Sequence, residues 1–282
     1  MRMRYFLATA LSAFFSFAWS YAEAATATGT FNVQVTIAPT RKISRAFGVL
    51  LLPAWFAASG ALAASLQVAP VLLEVVAPGA AATVTLRNNG AKPIATQVRV
   101  FRWFQEAGGE RLEPTEDVVA SPPAVELQPA QDYVARVVRV TKKPVEGEEA
   151  YRLFIDELPE APQGQRTVNL VVRHSIPLFF DASGSSAPEA AWRVTQNGRA
   201  VSLSAANGGD RRLRLASVRI GEAAGKGISF GPGLVGYALG HSAMSWTAPG
   251  SRSVFRPGAK VTISGLTEAG PFNAQAVVQS AR

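Results

Sequence analysis

The chain has 282 residues, 48% hydrophobic and 17% charged, a globular balance with room for about two ordinary domains and not that of a disordered chain. It holds no cysteine and two histidines, His174 and His241, so disulfides and thiol chemistry are excluded and a zinc site would need mostly carboxylate ligands. The net charge of +8 divides evenly: residues 1–64 hold five basic side chains and one acid, and the remainder 23 and 19, a mild excess that argues against nucleic-acid binding.

Residues 1–24 begin with Arg2 and Arg4, continue as an apolar run and end in small residues, the make-up of a secretory signal peptide. A second such segment covers 41–63, where Arg41, Lys42 and Arg45 precede an apolar run closed by Ala61-Leu62-Ala63. Its uncharged stretch 46–64 is just long enough to span a bilayer, but Gly48, Pro53, Gly60 and the cleavage pattern favour a signal peptide. Between them, residues 25–40 read ATATGTFNVQVTIAPT, with Phe31, Val33, Val35 and Ile37 on one face of a single strand. One strand is not a domain. This stretch resembles the start of a spore-coat-U-type pilin subunit. Two origins stay open, a start set too early or a tethered strand that pairs with the chain's own edge. In either case the folded protein is expected to begin near Ala64.

Residues 65–181 read as a first domain. Strands are expected over 65–76, 82–88, 94–103, 124–127, 133–140, 151–158 and 167–180, with turns at Ala77-Pro78-Gly79, Asn88-Asn89-Gly90, Ala107-Gly108-Gly109, Ser121-Pro122-Pro123, Gln128-Pro129 and 159–164. Seven short strands at this spacing predict an immunoglobulin-like sandwich. The stretch 166–180, RTVNLVVRHSIPLFF, has Val168, Leu170 and Val172 alternating with Asn169, Val171 and Arg173, and carries Pro177 where a central strand would need an N–H. Periodicity alone leaves open whether that apolar face is buried or offered to a partner.

After the polar linker DASGSSAP, residues 188–282 read as a second all-β sandwich, with strands over 191–196, 199–205, 212–220, 237–239, 242–246, 260–265 and 273–279. Asn197-Gly198 and Asn207-Gly208-Gly209 mark turns. Arg211, Arg212, Arg214 and Arg219 read as one solvated strand face, with partner contact as the alternative.

Residues 227–231 match G-x-S-x-G, with His241 downstream, but a nucleophile elbow needs a strand-to-helix turn that no helical periodicity here supplies. Residues 221–226 lack P-loop spacing. Asp156 and Glu157 are adjacent on a strand and point to opposite faces, so they do not converge on a substrate. His174 reads as a strand-end or cleft residue. No catalytic residue, metal site or cofactor is assigned, and the chain is read as a non-enzyme.

SLQVAPVLLE (65–74), 84–88, 97–103, the Ser121-Pro122-Pro123 turn, YRLFIDELP (151–159) and SIPLFF (175–180) occur in order and at fitting distances. Together they resemble the periplasmic chaperones of the pilus chaperone–usher pathway, and SIPLFF with YRLFIDELP resembles the archaic or alternate branch that serves spore-coat-U-like pilins. The resemblance implies an all-β fold of two immunoglobulin-like domains set in an L, a periplasmic location, and pilin-type subunits and an outer-membrane usher as partners. It leaves open whether the free protein caps itself as a dimer. The implied activity is donor-strand complementation, in which the last strand of the first domain completes a subunit's sandwich by β-augmentation.

By that resemblance Val168, Leu170 and Val172 are the groove-filling residues. The classical branch holds the subunit's terminal carboxylate with two basic residues, at whose places this sequence has Pro70 and Pro177. A hairpin of 151–158 with 167–173 centred on 162–163 would set Arg152 opposite Arg173 as a substitute anchor, with Arg99 as a third candidate. Two solvated arginines are the other reading of that pair. A structural or adhesive two-domain protein of a surface fibre, self-complemented by the 31–37 strand, is the alternative function.

Overall fold

The computed structural model describes residues 66–159, 171–222, 225, 227–248 and 255–280. The expected leader segments and the 31–37 strand therefore lie outside the described residues. Among the described residues the chain is all β, with no helix.

Ten strands precede residue 182. They are β1 (Leu66–Ala69), β2 (Leu73–Val76), β3 (Ala81–Asn88), β4 (Ile94–Glu106), β5 (Gly109–Pro114), β6 (Val118–Ser121), β7 (Ala124–Leu127), β8 (Asp132–Arg139), β9 (Glu148–Leu158) and β10 (Arg173–Asp181). One sheet runs β1-β3-β8-β6; the other runs β2-β10-β9-β4-β5, with β7 also on β4. Alternation decides what each strand buries. Val84 and Leu86, Ala135 and Val137, Leu153 and Ile155, and Ile176, Leu178 and Phe180 turn inward to one core between the sheets.

The single strand expected over 65–76 is two. It breaks at Pro70, and its halves join opposite sheets, β1 on β3 and β2 in parallel on β10. Two short strands, β5 and β6, go beyond the sequence reading. β5 is largely exposed, and its charged run GERLEP shows no alternation of polarity.

Eight more strands follow, namely β11 (Ala190–Asn197), β12 (Ala200–Asn207), β13 (Leu213–Gly221), β14 (Gly227–Ser229), β15 (Leu234–Ala238), β16 (Ser242–Thr247), β17 (Lys260–Thr267) and β18 (Gly270–Ser280). They form one hydrogen-bonded path, β14-β13-β17-β18-β11-β12-β16, with β15 on β13, around a second core that includes Val194, Leu203, Leu215, Val218, Ile220, Ile263 and Val278. Gly198, at φ 57°, makes the tight turn between β11 and β12 that Asn197-Gly198 predicts. The G-x-S-x-G stretch is the short edge strand β14, where the Ser229 hydroxyl accepts the Gly231 N–H, and His241 bonds Asp210 instead.

Among the described residues, the contacts that join the two halves include three prominent sets. The Gln105 amide, at the end of β4, donates to the Tyr237 carbonyl and accepts from the Leu239 N–H, both at 2.8 Å. Trp103, Ala150 and Phe179 pack with Tyr237 and Leu239 in a small apolar cluster of their own. The third set is ionic. The Arg212 side chain is fully buried, donates to Glu148 at 2.5 Å and Glu268 at 3.0 Å, pairs with Glu74, and lies 3.9 Å over the Phe179 ring. Arg212 is thus no part of a solvated strand face. Its acidic partners come from three distant segments, which the local sequence does not reveal.

Candidate functional site

The sheet β2-β10-β9-β4-β5 has two faces, and the one turned away from the first core carries the site. Register sets out its side chains in rows. Arg173, Asp156 and Gln97 lie across β10, β9 and β4 in the first row, Ser175, Phe154 and Arg99 in the next, and Pro177, Arg152 and Phe101 in the third. Phe179, Ala150 and Trp103 follow, and there the apolar cluster with Tyr237 and Leu239 closes the face. The floor therefore runs from an ionic end at Asp156 to an aromatic wall.

Arg152 sits at the foot of that wall. Its guanidinium stacks 3.7 Å from the Trp103 ring centroid and pairs with Glu110 at 3.4 Å. Only 14% of the side chain is exposed. Burial pulls the group down from its ordinary pKa, while Glu110 and Tyr237 act the other way. A desolvated cation whose acidic contact is this long gains from a nearer carboxylate.

Arg99 and Arg173 meet on one carboxylate. Arg99 donates to Asp156 Oδ2 through Nε at 3.1 Å and Nη2 at 2.5 Å, and Arg173 Nε donates to Oδ1. Asp156 is 10% exposed, Arg99 39% and Arg173 52%. Between them Phe101 and Phe154 pack at 5.3 Å, with Arg99 5.6 Å over Phe101 and Arg173 5.2 Å over Phe154.

The expected hairpin register is corrected here. Arg173 faces Asp156, and Arg152 faces Pro177, four residues along. The observed register replaces two like charges directly opposite with an opposite-charge pair, which is the favourable cross-strand arrangement. It also brings Arg152 beside Pro177, the position where the resemblance called for a basic residue. Pro177 is tolerated because β2 joins β10 only from Leu178 onward, so the strand at Pro177 has β9 alone as its ladder partner.

Val168 and Leu170 lie outside the described residues. Val172 is described and half-buried, and its carbonyl accepts the Glu157 N–H at 3.0 Å, which carries the β9 pairing one residue beyond β10. In sequence parity, Val168, Leu170 and Val172 continue the row of Ile176, Leu178 and Phe180, which fills the first core. His174 lies on the same side, with Nε2 3.2 Å from the Leu66 carbonyl, and burial lowers its pKa. Neither Asp156 as the holder of two arginines nor Trp103 as the shelf under Arg152 is visible in the sequence. Asp156 could have been found only from a correct register, because its partners lie 57 and 17 residues away.

Residues 65–185 match the family described as pili and flagellar-assembly chaperone, PapD N-terminal domain. Among solved structures, the chain is similar to a chain of the CsuC–CsuE chaperone–tip adhesion subunit pre-assembly complex from the archaic chaperone–usher Csu pili of Acinetobacter baumannii. That likeness has 23% identity, covers 78% of this chain and 100% of that one, and has a TM-score of 0.57. The E. coli chaperone DraB (19% identity, 76% and 97% covered, TM-score 0.52) and a chain of the Salmonella enterica SafA pilin–SafB chaperone complex (20%, 76% and 97%, TM-score 0.52) share the fold. A comparison with the curated proteins returns no match. Residues 65–185 thus match the model of that N-terminal domain, and the chain shares its fold with these solved structures.

Proposed function

We propose that this chain, whose first domain matches the PapD N-terminal model, is a pilus-assembly chaperone that holds pilin-type subunits by lending them the strand that leads into β10. It is read as an archaic or alternate-branch chaperone that acts in the periplasm and passes spore-coat-U-like subunits to an outer-membrane usher. The observation that carries the mechanism is the parity of β10. The row that fills the chaperone's own core, Ile176, Leu178 and Phe180, continues backwards in sequence as Val172, Leu170 and Val168. A subunit that lacks one strand has an apolar groove of alternating pockets, and this row fills such a groove while the backbone supplies the ladder.

Arg152 is the proposed anchor for the subunit's terminal carboxylate. It stands opposite Pro177 on the neighbouring strand, is rigidified by Trp103, and has only a 3.4 Å contact with Glu110 to give up. Arg99 and Arg173 are less suited, because Asp156 already neutralises half of their joint charge. No cofactor or nucleotide is required, since folding of the subunit around the lent strand supplies the free energy. The domains proposed are 65–181 and 188–282, joined by the intervening linker.

Leu170→Glu places a charge in the groove-filling row. The variant is expected to lose its subunit in co-purification from periplasm while urea unfolding of the chaperone stays as in wild type. Normal recovery of the subunit by a folded Leu170→Glu protein would overturn the assignment.

A further inference from the structure

We infer that the Arg99–Asp156–Arg173 cluster is a second recognition point, which takes an acidic side chain of the subunit's terminal strand. The inference rests on the proposed reading, in that Arg152 holds the terminal carboxylate, but a different set of residues carries it.

Direction comes first. Beyond Arg152 the floor is closed by Trp103, Phe179 and Tyr237. A peptide whose carboxylate ends at Arg152 therefore enters from the open end, past Arg173. β2 covers β10 only from Leu178 to Asp181, so an added strand can run beside β10 over residues 173–177. Arg173 is four residues before Pro177, about 13 Å in extended chain. The peptide residue facing Arg173 on the same side of the sheet is thus the fourth before its terminal residue.

Charge comes second. Two guanidiniums share one carboxylate, and among the described residues Asp156 is the acidic partner of both. One positive charge is left over at the mouth of the floor. Both oxygens of Asp156 are engaged, and the bond from Arg173 runs through Nε, so its terminal nitrogens are the donors that remain for a ligand. The Phe101 and Phe154 rings lie beneath the two guanidiniums, 5.6 and 5.2 Å from them, and restrict their movement. Arginines fixed in this way bind a carboxylate with little further ordering. Asp156 is the positioning residue, and Arg173, on the lending strand itself, is the principal contact.

The test uses the full chain and fluorescein-labelled nonapeptides of alternating valine and threonine with a free C-terminus. They carry either Glu or Gln at the fourth residue before the last. In low salt, wild type is expected to bind the Glu peptide about three- to tenfold more tightly, the range of a partly exposed charge pair. The preference should vanish in Arg173→Gln, shrink in Arg99→Gln and survive in Arg173→Lys. Amidation of the C-terminus should weaken both peptides in wild type and in Arg173→Gln, and neither in Arg152→Gln. Equal binding of the Glu and Gln peptides, with amidation still harmful, would refute the second contact and leave the anchor standing. A Glu preference unaffected by amidation would refute the anchor and leave the second contact.

Discussion

Glu148 is the group on which the junction between the two domains is expected to respond to pH. Its side chain is 1% exposed, accepts from the Arg212 backbone N–H and Nη1, and lies near Asp181, itself 5% exposed. Burial first, and then the Asp181 carboxyl, push its pKa up from 4.5 to about 9, while the Arg212 N–H pulls it down. Folded Glu148 therefore keeps its proton across neutral pH, where an unfolded glutamate has lost it. A group raised in this way contributes stability that is complete below pH 4.5 and lost as the pH climbs through about 9. One proton is worth at most about 1.4 kcal/mol per pH unit, so the upper bound between pH 5 and 7 is about 3 kcal/mol. Because the Arg212 N–H and guanidinium favour the charged form of Glu148, a loss of about 1–2 kcal/mol is expected.

Glu148→Gln isolates this contribution. The amide cannot ionise, and it can still accept from Arg212 and donate to Asp181. Urea unfolding followed by tryptophan fluorescence at pH 5, 6, 7 and 8 should show wild type losing stability relative to Glu148→Gln as the pH rises, with the variant at least as stable by pH 8. Parallel pH profiles for the two proteins would refute the reasoning. So would a wild type that gains on the variant with rising pH.

Three further outcomes follow from single contacts. Asn207 is 3% exposed, and its side chain bonds the Arg211, Ala238 and Leu239 carbonyls and the Glu189 and Gly209 N–H groups, so Asn207→Ala should cost about 2–4 kcal/mol in urea unfolding. A Cβ at Gly236 would overlap the Trp246 indole, and Gly236→Ala should cost about 1–3 kcal/mol, read as a lower thermal midpoint. Glu110 competes for Arg152 while 41% exposed, so Glu110→Gln should tighten binding of a free-carboxylate peptide by about two- to threefold in fluorescence anisotropy, and should not affect its amide.

The sequence carried the fold wherever alternation was clean. Val84 and Leu86, Leu153 and Ile155, and Leu203 and Ala205 could be placed on inward faces from their spacing, and the Asn-Gly signals fell at real strand ends. It failed where geometry depends on partners far along the chain. The register of β9 on β10 moved by four residues because the connecting loop is long and both registers bury the same faces. Only the charges separate them, Arg173 opposite Asp156 against Arg173 opposite Arg152. Arg212 looked solvated because its strand is rich in arginine, yet Glu74, Glu148 and Glu268 bury it from distant segments. The candidate anchor was thus legible as a residue and misplaced as a pair.

What distinguishes the arginines of this protein is how much of each charge is already neutralised. Arg212 is enclosed by the Glu74, Glu148 and Glu268 side chains, a task that fixes the two domains and leaves nothing for a ligand. Arg99 and Arg173 share one carboxylate, so together they retain a single charge at an exposed, preorganised position. Arg152 is desolvated on an aromatic shelf, and its acidic contact is the longest of the four. A terminal carboxylate offered to the floor gains most at Arg152, where desolvation has been incurred in folding and the competing contact is weak. An acidic side chain gains less at the Arg99–Arg173 pair. On this ordering the domain junction is the rigid element, and its rigidity makes the other two sites selective. Tyr237 and Leu239 close the floor only while Arg212 and Gln105 hold the second domain in place. A chain that entered the floor would then meet a fixed stop, and that stop sets which of its residues face Arg173.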